Sequence, residues 1–138
     1  MAIRALIDAY ARCADRRDAE GQKALFTEDT TFVVHMDGQG TAPTSELHGR
    51  EQLAPVSDNL NTYETTTHFN GQSSIELDGD RATGESYCMA HHVFVEGGAR
   101  KLMVAAIRYD DVMKRTDAGW RFAQRRLYVD WVDTRTLG

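Results

Sequence analysis

The chain is poor in residues that break or staple structure: its 138 residues include only two prolines and two cysteines. So few prolines, with charged residues at 27%, argue against a disordered or linker-rich architecture. Cys13 and Cys88 lie in segments of different character, and neither a C-x-x-C pair nor a zinc spacing occurs. The expectation is two reduced thiols in a cytoplasmic protein. No apolar run approaches ~20 residues, so no membrane span is expected, and no basic-then-apolar leader opens the chain. A basic excess is missing as well. The formal net charge is −5, and nucleic acid is not an expected partner. Arg121, Arg125 and Arg126 come nearest to a basic cluster. With Glu96, Asp110, Asp111, Asp130 and Asp133 around them, the expected setting is a solvated sheet of mixed charge. Five histidines are present, but no H-x-H or H-x-x-x-H spacing occurs, and His91 and His92, adjacent on a strand, point to opposite faces. Neither a metal nor an organic cofactor is expected.

What is present suffices for one domain over 1–138, with 41% apolar residues to close its core. Ile3, Leu6, Ile7, Tyr10 and Ala14 recur at three- and four-residue steps and predict an amphipathic first helix. Asp18 is the candidate N-cap of a short second helix, with Ala24, Leu25 and Phe26 as its apolar side. Residues 30–36 are β-branched and aromatic and predict a strand. Asp37 to Ser45 reads as a loop, and Gly49 to Leu60 as a weak helix interrupted by Pro55. Strands follow at Thr65 to Leu77, Arg81 to Glu96, Arg100 to Arg115 and Trp120 to Val132, joined by glycine- and aspartate-rich turns. Helices first and hairpin-linked strands after them predict an α+β fold, with the helices gathered on one face of the sheet.

The strand parities carry the functional hint. Ser86, Cys88, Ala90 and His92 share one face of their strand, and Thr66, His68 and Asn70 share one face of the strand before it. Small and polar groups there face water or line a hollow that holds something polar. Asp15 near the end of the first helix reads, on its own, as a solvated carboxylate or a cap for the next helix. His68, on its own, reads as a satisfied strand histidine.

Beyond these patterns, the element order and the run Tyr10-Ala-Arg-Cys-Ala-Asp15-Arg-Arg-Asp18 resemble the SnoaL-like branch of the nuclear-transport-factor-2-like superfamily. That group includes scytalone dehydratase, bile-acid 7α-dehydratase and hexachlorocyclohexane dehydrochlorinase. Asp15 falls where these enzymes keep a catalytic aspartate. Thr-Thr-Thr-His68-Phe-Asn-Gly resembles the strand that supplies their catalytic histidine. His92 falls at a second active-site histidine of scytalone dehydratase, and Tyr10 at the functional tyrosine of the bile-acid enzyme. The ending Asp117-Ala-Gly-Trp120-Arg-Phe, with Trp131 beyond it, matches the superfamily's closing strand. Departures are also plain. Positions that handle substrate in those enzymes fall here near Val34, with His35 beside it, near Ala90 on the strand of Cys88, and at Ile107 and Tyr109.

The resemblance implies a cone-shaped α+β barrel, its N-terminal helices packed on a curved, mixed but mostly antiparallel sheet. It implies a cofactor-independent lyase of dehydratase type acting on a small, mostly apolar molecule. His68 would be the general base, Asp15 would orient it, and His92 and Tyr10 would assist as acids. Val34, His35, Cys88, Ala90, Ile107 and Tyr109 would line the substrate site. Isomerisation or polyketide cyclisation on the same dyad, a non-catalytic ligand pocket, and an accessory subunit like those of ring-hydroxylating dioxygenases are the alternatives. A homo-oligomer is implied, trimer before dimer. His48 and His91 are expected at the surface or in structural roles.

Overall fold

The structure is a computed structural model that describes residues 2–36 and 43–138. Two helices, α1 (Ala2–Asp15) and α2 (Ala19–Lys23), precede β1 (Phe26–His35) and β2 (Ser45–His48). A helical excursion follows: a 3₁₀ turn at Arg50–Gln52, α3 (Ala54–Asp58) and a second 3₁₀ turn at Asn59–Thr62. Four long strands complete the chain: β3 (Thr65–Asp78), β4 (Arg81–Glu96), β5 (Ala99–Thr116) and β6 (Gly119–Thr136). They make a six-stranded sheet in the order β2-β1-β6-β5-β4-β3, open at β2 and β3. Every pairing is antiparallel except that of β1 with β6, which is parallel. This is the expected α+β cone, with helices on one face of a mixed sheet.

Helix α1 seats Ile3, Leu6, Ile7, Tyr10 and Ala14 on the inner sheet face, against a core that includes Phe26, Phe32, Met113 and Phe122. Their three- and four-residue spacing gives one continuous apolar stripe, which is why this segment docks as a helix. Tyr10 meets Phe26, Phe122 and Tyr109 edge-on, with ring centroids 5.7–6.1 Å apart, the arrangement aromatic quadrupoles favour.

Several expectations change. Phe26 opens β1 instead of closing the second helix; it pairs with Phe122 and is buried. The predicted loop from Asp37 onward lies partly outside the described residues, up to Ala42. Ser45, at its far end, begins the edge strand β2, which pairs with Thr31–Val34 of β1. Mostly exposed, β2 shows no alternation by which it could be read. Pro55 sits in the first turn of α3, where a missing N–H costs nothing, and so starts that helix instead of interrupting one.

The larger correction concerns charge. Arg125 and Asp111 are not part of a solvated surface: they are 0% and 2% exposed. Their side chains pair on neighbouring strands, with Arg125 Nε 3.1 Å from Asp111 Oδ1. The guanidinium carbon lies 3.5 Å from the Tyr109 ring centroid, 4.2 Å from that of Tyr10 and 4.4 Å from that of Phe122. Burial pushes the Asp111 carboxyl up to about 6, against the pull of Arg125.

Candidate active site

The end of α1 sets the first candidate side chain. The backbone N–H of Asp18 donates to the Cys13 carbonyl (2.9 Å) and that of Arg17 to the Ala14 carbonyl (3.3 Å). Arg17 between them adopts φ +57°. This is the Schellman termination, with arginine at the left-handed position that glycine usually occupies. Asp18 in turn caps α2 as expected, its Oδ1 accepting from Gly21 N at 2.9 Å. The turn leaves Asp15, the last residue of α1, facing β3.

There Asp15 meets His68. Asp15 Oδ1 lies 2.6 Å from His68 Nδ1, and Oδ2 accepts the His68 backbone N–H at 2.8 Å. The Thr66 hydroxyl donates to Asp15 Oδ1 at 3.0 Å. Burial raises the Asp15 carboxyl, but the hydrogen bonds from the His68 ring and backbone, the His68 charge and the Thr66 hydroxyl outweigh it. The net direction is down, so Asp15 is ionised at neutral pH. An ionised carboxylate can only accept, so the shared proton sits on His68 Nδ1. The His68 side chain is 6% exposed.

His68 opens into a cavity of about 450 Å³ between the sheet and the α3 excursion. That volume suits a small organic molecule. Phe32, Val34, Leu127 and Val129 from β1 and β6 form one apolar wall, and Ala105 and Ile107 another. Pro55, Val56, Leu60 and Tyr63 cover it from the excursion. Among the described residues the lining holds no Asp, Glu, Lys or Arg. Polar groups come from Ser45, Asn59 and Tyr63 and from four residues of α1 and the long strands: Tyr10, Tyr109, His68 and His92.

These four differ in what they can offer. Burial raises the Tyr10 phenol to about 12, against the lowering charge of Arg125, and lifts Tyr109 well above its usual value. Both remain hydroxyl donors at any physiological pH. His92 Nδ1 lies 3.3 Å from the Met103 carbonyl; a carbonyl only accepts, so that nitrogen carries the proton. Burial lowers the His92 pKa, the Met103 bond opposes this, and His68 and His91 lower it further. His92 is thus a neutral ring whose Nε2 is an acceptor, which does not suit the acid role expected of it. Tyr63 leans over it, with ring centroids 4.7 Å apart.

The sequence-expected residues divide clearly. Tyr10, Val34, His68, His92, Ile107 and Tyr109 reach the cavity wall, and Asp15 stands behind His68. His35 does not reach it. It follows Val34 on β1, so the pleat turns it to the other face, where it stacks on Tyr128 at 4.7 Å and 8°. Cys88 and Ala90 have inward parity but are packed into the core, 1% and 0% exposed, instead of lining the cavity. Burial raises the Cys88 thiol to about 11, so it stays protonated. His48 is exposed beside Glu46, and His91 faces outward toward the Thr67 carbonyl. Sequence reasoning passed over Tyr63, Leu127 and Val129, and read the α3 segment as a weak helix without giving it a part in the site. It noted Thr66 only as sharing the His68 parity.

The SnoaL-like domain model matches residues 1–126. The chain belongs to the SnoaL-like family. An NTF2-like protein with a cystatin-like fold from Novosphingobium aromaticivorans is 30% identical, with a TM-score of 0.69 over 93% of this chain and 79% of that one. A protein of the same organism provisionally named as a scytalone dehydratase has a TM-score of 0.79 at 22% identity, covering 99% of this chain and 87% of that one. Hexachlorocyclohexane dehydrochlorinase LinA-type3 from Novosphingobium barchaimii has a TM-score of 0.78 at 18% identity, covering 99% and 88%. At these identities the last two share the fold, which is one that dehydratase-like and dehydrochlorinase proteins use. Among the described residues no helix is long and apolar enough to cross a membrane.

Proposed function

We propose that this SnoaL-like protein is a cofactor-independent lyase in which His68, oriented by Asp15, removes a proton from carbon in a small uncharged substrate. The observation that carries this reading is the 2.6 Å contact between His68 Nδ1 and Asp15 Oδ1 at the wall of a mostly apolar cavity. The carboxylate fixes the tautomer and stabilises the imidazolium formed when Nε2 takes the proton. The C–H electron pair becomes the new C=C bond, and the bond to a hydroxyl or halide on the neighbouring carbon breaks. Tyr10 and Tyr109 would donate to the departing group or to an activating carbonyl oxygen, a role supported by their position in the cavity lining. His92 Nε2 would accept from a substrate hydroxyl. Among the described residues the wall carries no charged side chain, which favours a neutral substrate, because a buried carboxylate would find no cation there. The dehydratase- and dehydrochlorinase-named neighbours perform eliminations by name, which agrees with this reading.

The experiment is a panel of neutral β-hydroxy ketones and halogenated cyclohexanes, followed for alkene formation. His68→Ala and Asp15→Asn should each lower turnover by about 10²–10⁴-fold. An equally active His68→Ala variant would sink the proposal. Deuterium from solvent appearing in an isomerised product, with no leaving group released, would instead mark the isomerase alternative on the same dyad.

A further inference from the structure

Arg17 occupies a position that arginine should avoid. At φ +57° its Cβ crowds the backbone, and glycine would be the lower-energy choice at the end of α1. Its neighbour Arg16 is exposed and conventional. Arg17 is half-buried, and its guanidinium turns back under the helix end. Nη1 donates to the Ala14 carbonyl at 2.8 Å and to Thr66 Oγ1 at 2.8 Å. The Thr66 hydroxyl, 4% exposed as a residue, has one proton, and it goes to Asp15 Oδ1. The four groups form a directed chain: Arg17 donates to Thr66, Thr66 to Asp15, and Asp15 holds the His68 Nδ1 proton.

We propose that Arg17 is a positioning residue: through Thr66 it fixes the rotamer and charge of the Asp15 carboxylate, and thereby the His68 tautomer. This rests on the dyad reading above. The guanidinium forces the Thr66 lone pair toward itself, so the hydroxyl proton has one direction left, toward Asp15. Without it, the hydroxyl is free to turn to another acceptor, and the carboxylate loses one of its three donors. A role confined to ending α1 would make a different prediction, because glycine ends a helix in this geometry at least as well as arginine.

The test uses the full chain and needs no substrate. Imidazole ¹⁵N–¹H correlation spectra of the native protein should show a low-field, slowly exchanging His68 Nδ1 proton. Arg17→Gly should keep or raise Tm, yet speed exchange of that proton about tenfold, the worth of one hydrogen bond to a charged group, and admit the Nε2–H tautomer. Arg17→Lys should recover part of the native signal. Thr66→Val, which removes the middle link and keeps the strand's shape, should match Arg17→Gly, and the double variant should do no more than either. A native Nδ1 signal in Arg17→Gly overturns the proposal, as does full additivity in the double variant. Asp15→Asn is the control. If it alone abolishes the signal, the dyad stands and only the role of Arg17 fails; if it changes nothing, both fail.

Discussion

The imidazoles of His68 and His92 lie 6.1 Å apart at 71° in one cavity, with opposite anchors. His68 Nδ1 is held by a carboxylate, and His92 Nδ1 by the Met103 carbonyl. A carboxylate stabilises a cationic ring and a carbonyl does so far less, so of the two rings His68 is the one whose anchor suits the base of the proposed reaction.

His92 should therefore carry an acid-stability signature. Its pKa is depressed in the fold, so the unfolded chain takes the proton first as pH falls. The stability it contributes is present above the ordinary histidine value of 6.5 and is lost on acidification below it. Urea unfolding between about pH 7 and 5 should show a shallower loss for His92→Gln than for the native protein. Identical slopes would show that His92 is not buried as a neutral ring.

Asp15 titrates with the opposite chemistry but a similar outcome. Its carboxyl is lowered in the fold, so its contribution is present above 3.8 and disappears as pH falls through the lower folded value. Asp15→Asn should flatten the unfolding free energy in that acid range, while stability at pH 7 drops only modestly because the group is partly exposed. Equal pH dependence in the two proteins would contradict the contact geometry.

The buried pair beneath the tyrosines invites a double-mutant cycle. Arg125→Met alone should cost about 3–5 kcal/mol, because Asp111 is left as an unpaired buried acid. Arg125→Met with Asp111→Leu should recover most of that loss. Denaturant titration measures both, and a single variant as stable as the native protein would show that the pair is not desolvated in solution.

On the outer sheet face, Phe69, Met89, Ala106 and Trp131 sit in register across β3, β4, β5 and β6. Phe69 and Trp131 are 69% and 52% exposed. The neighbouring Arg108–Asp130 pair is internally neutralised, with Nε to Oδ2 at 2.7 Å. We propose that the homo-oligomer implied by the family resemblance covers this row with a second copy of the chain. Sedimentation should show a homo-oligomer that Trp131→Glu dissociates while far-UV circular dichroism is unchanged. A native monomer at 50–100 μM, roughly the range in which weak self-association is seen, would exclude this.

Much of the site was legible because it follows strand periodicity. Ser86, Cys88, Ala90 and His92 all fall on the inner face, and so do Thr66 and His68, because a pleat admits no other arrangement. The same rule shows why His35 fails as a site residue beside Val34. Arg125 was hidden for a different reason. Its partner Asp111 comes from another strand, and a run of mixed charges carries no mark of which two will meet inside. Arg17 was hidden too: the Schellman turn is normally announced by glycine, and a second arginine after Arg16 looks like surface. The cover over the cavity was opaque because short 3₁₀ turns and one five-residue helix offer too few residues for a period.

The parallel union of β1 with β6 has a consequence for how the protein is made. Thr30 gives its hydroxyl proton to a carbonyl 92 residues further along, and the cavity wall of Phe32 and Val34 is completed by Leu127 and Val129. A ribosome that has delivered everything through β5 has made the helix, the aspartate and both histidines, yet the pocket still lacks a side. Closure waits for the final strand, so folding should be slow for a chain of this size. In a nascent chain the apolar wall of β1 is the surface that chaperones would see.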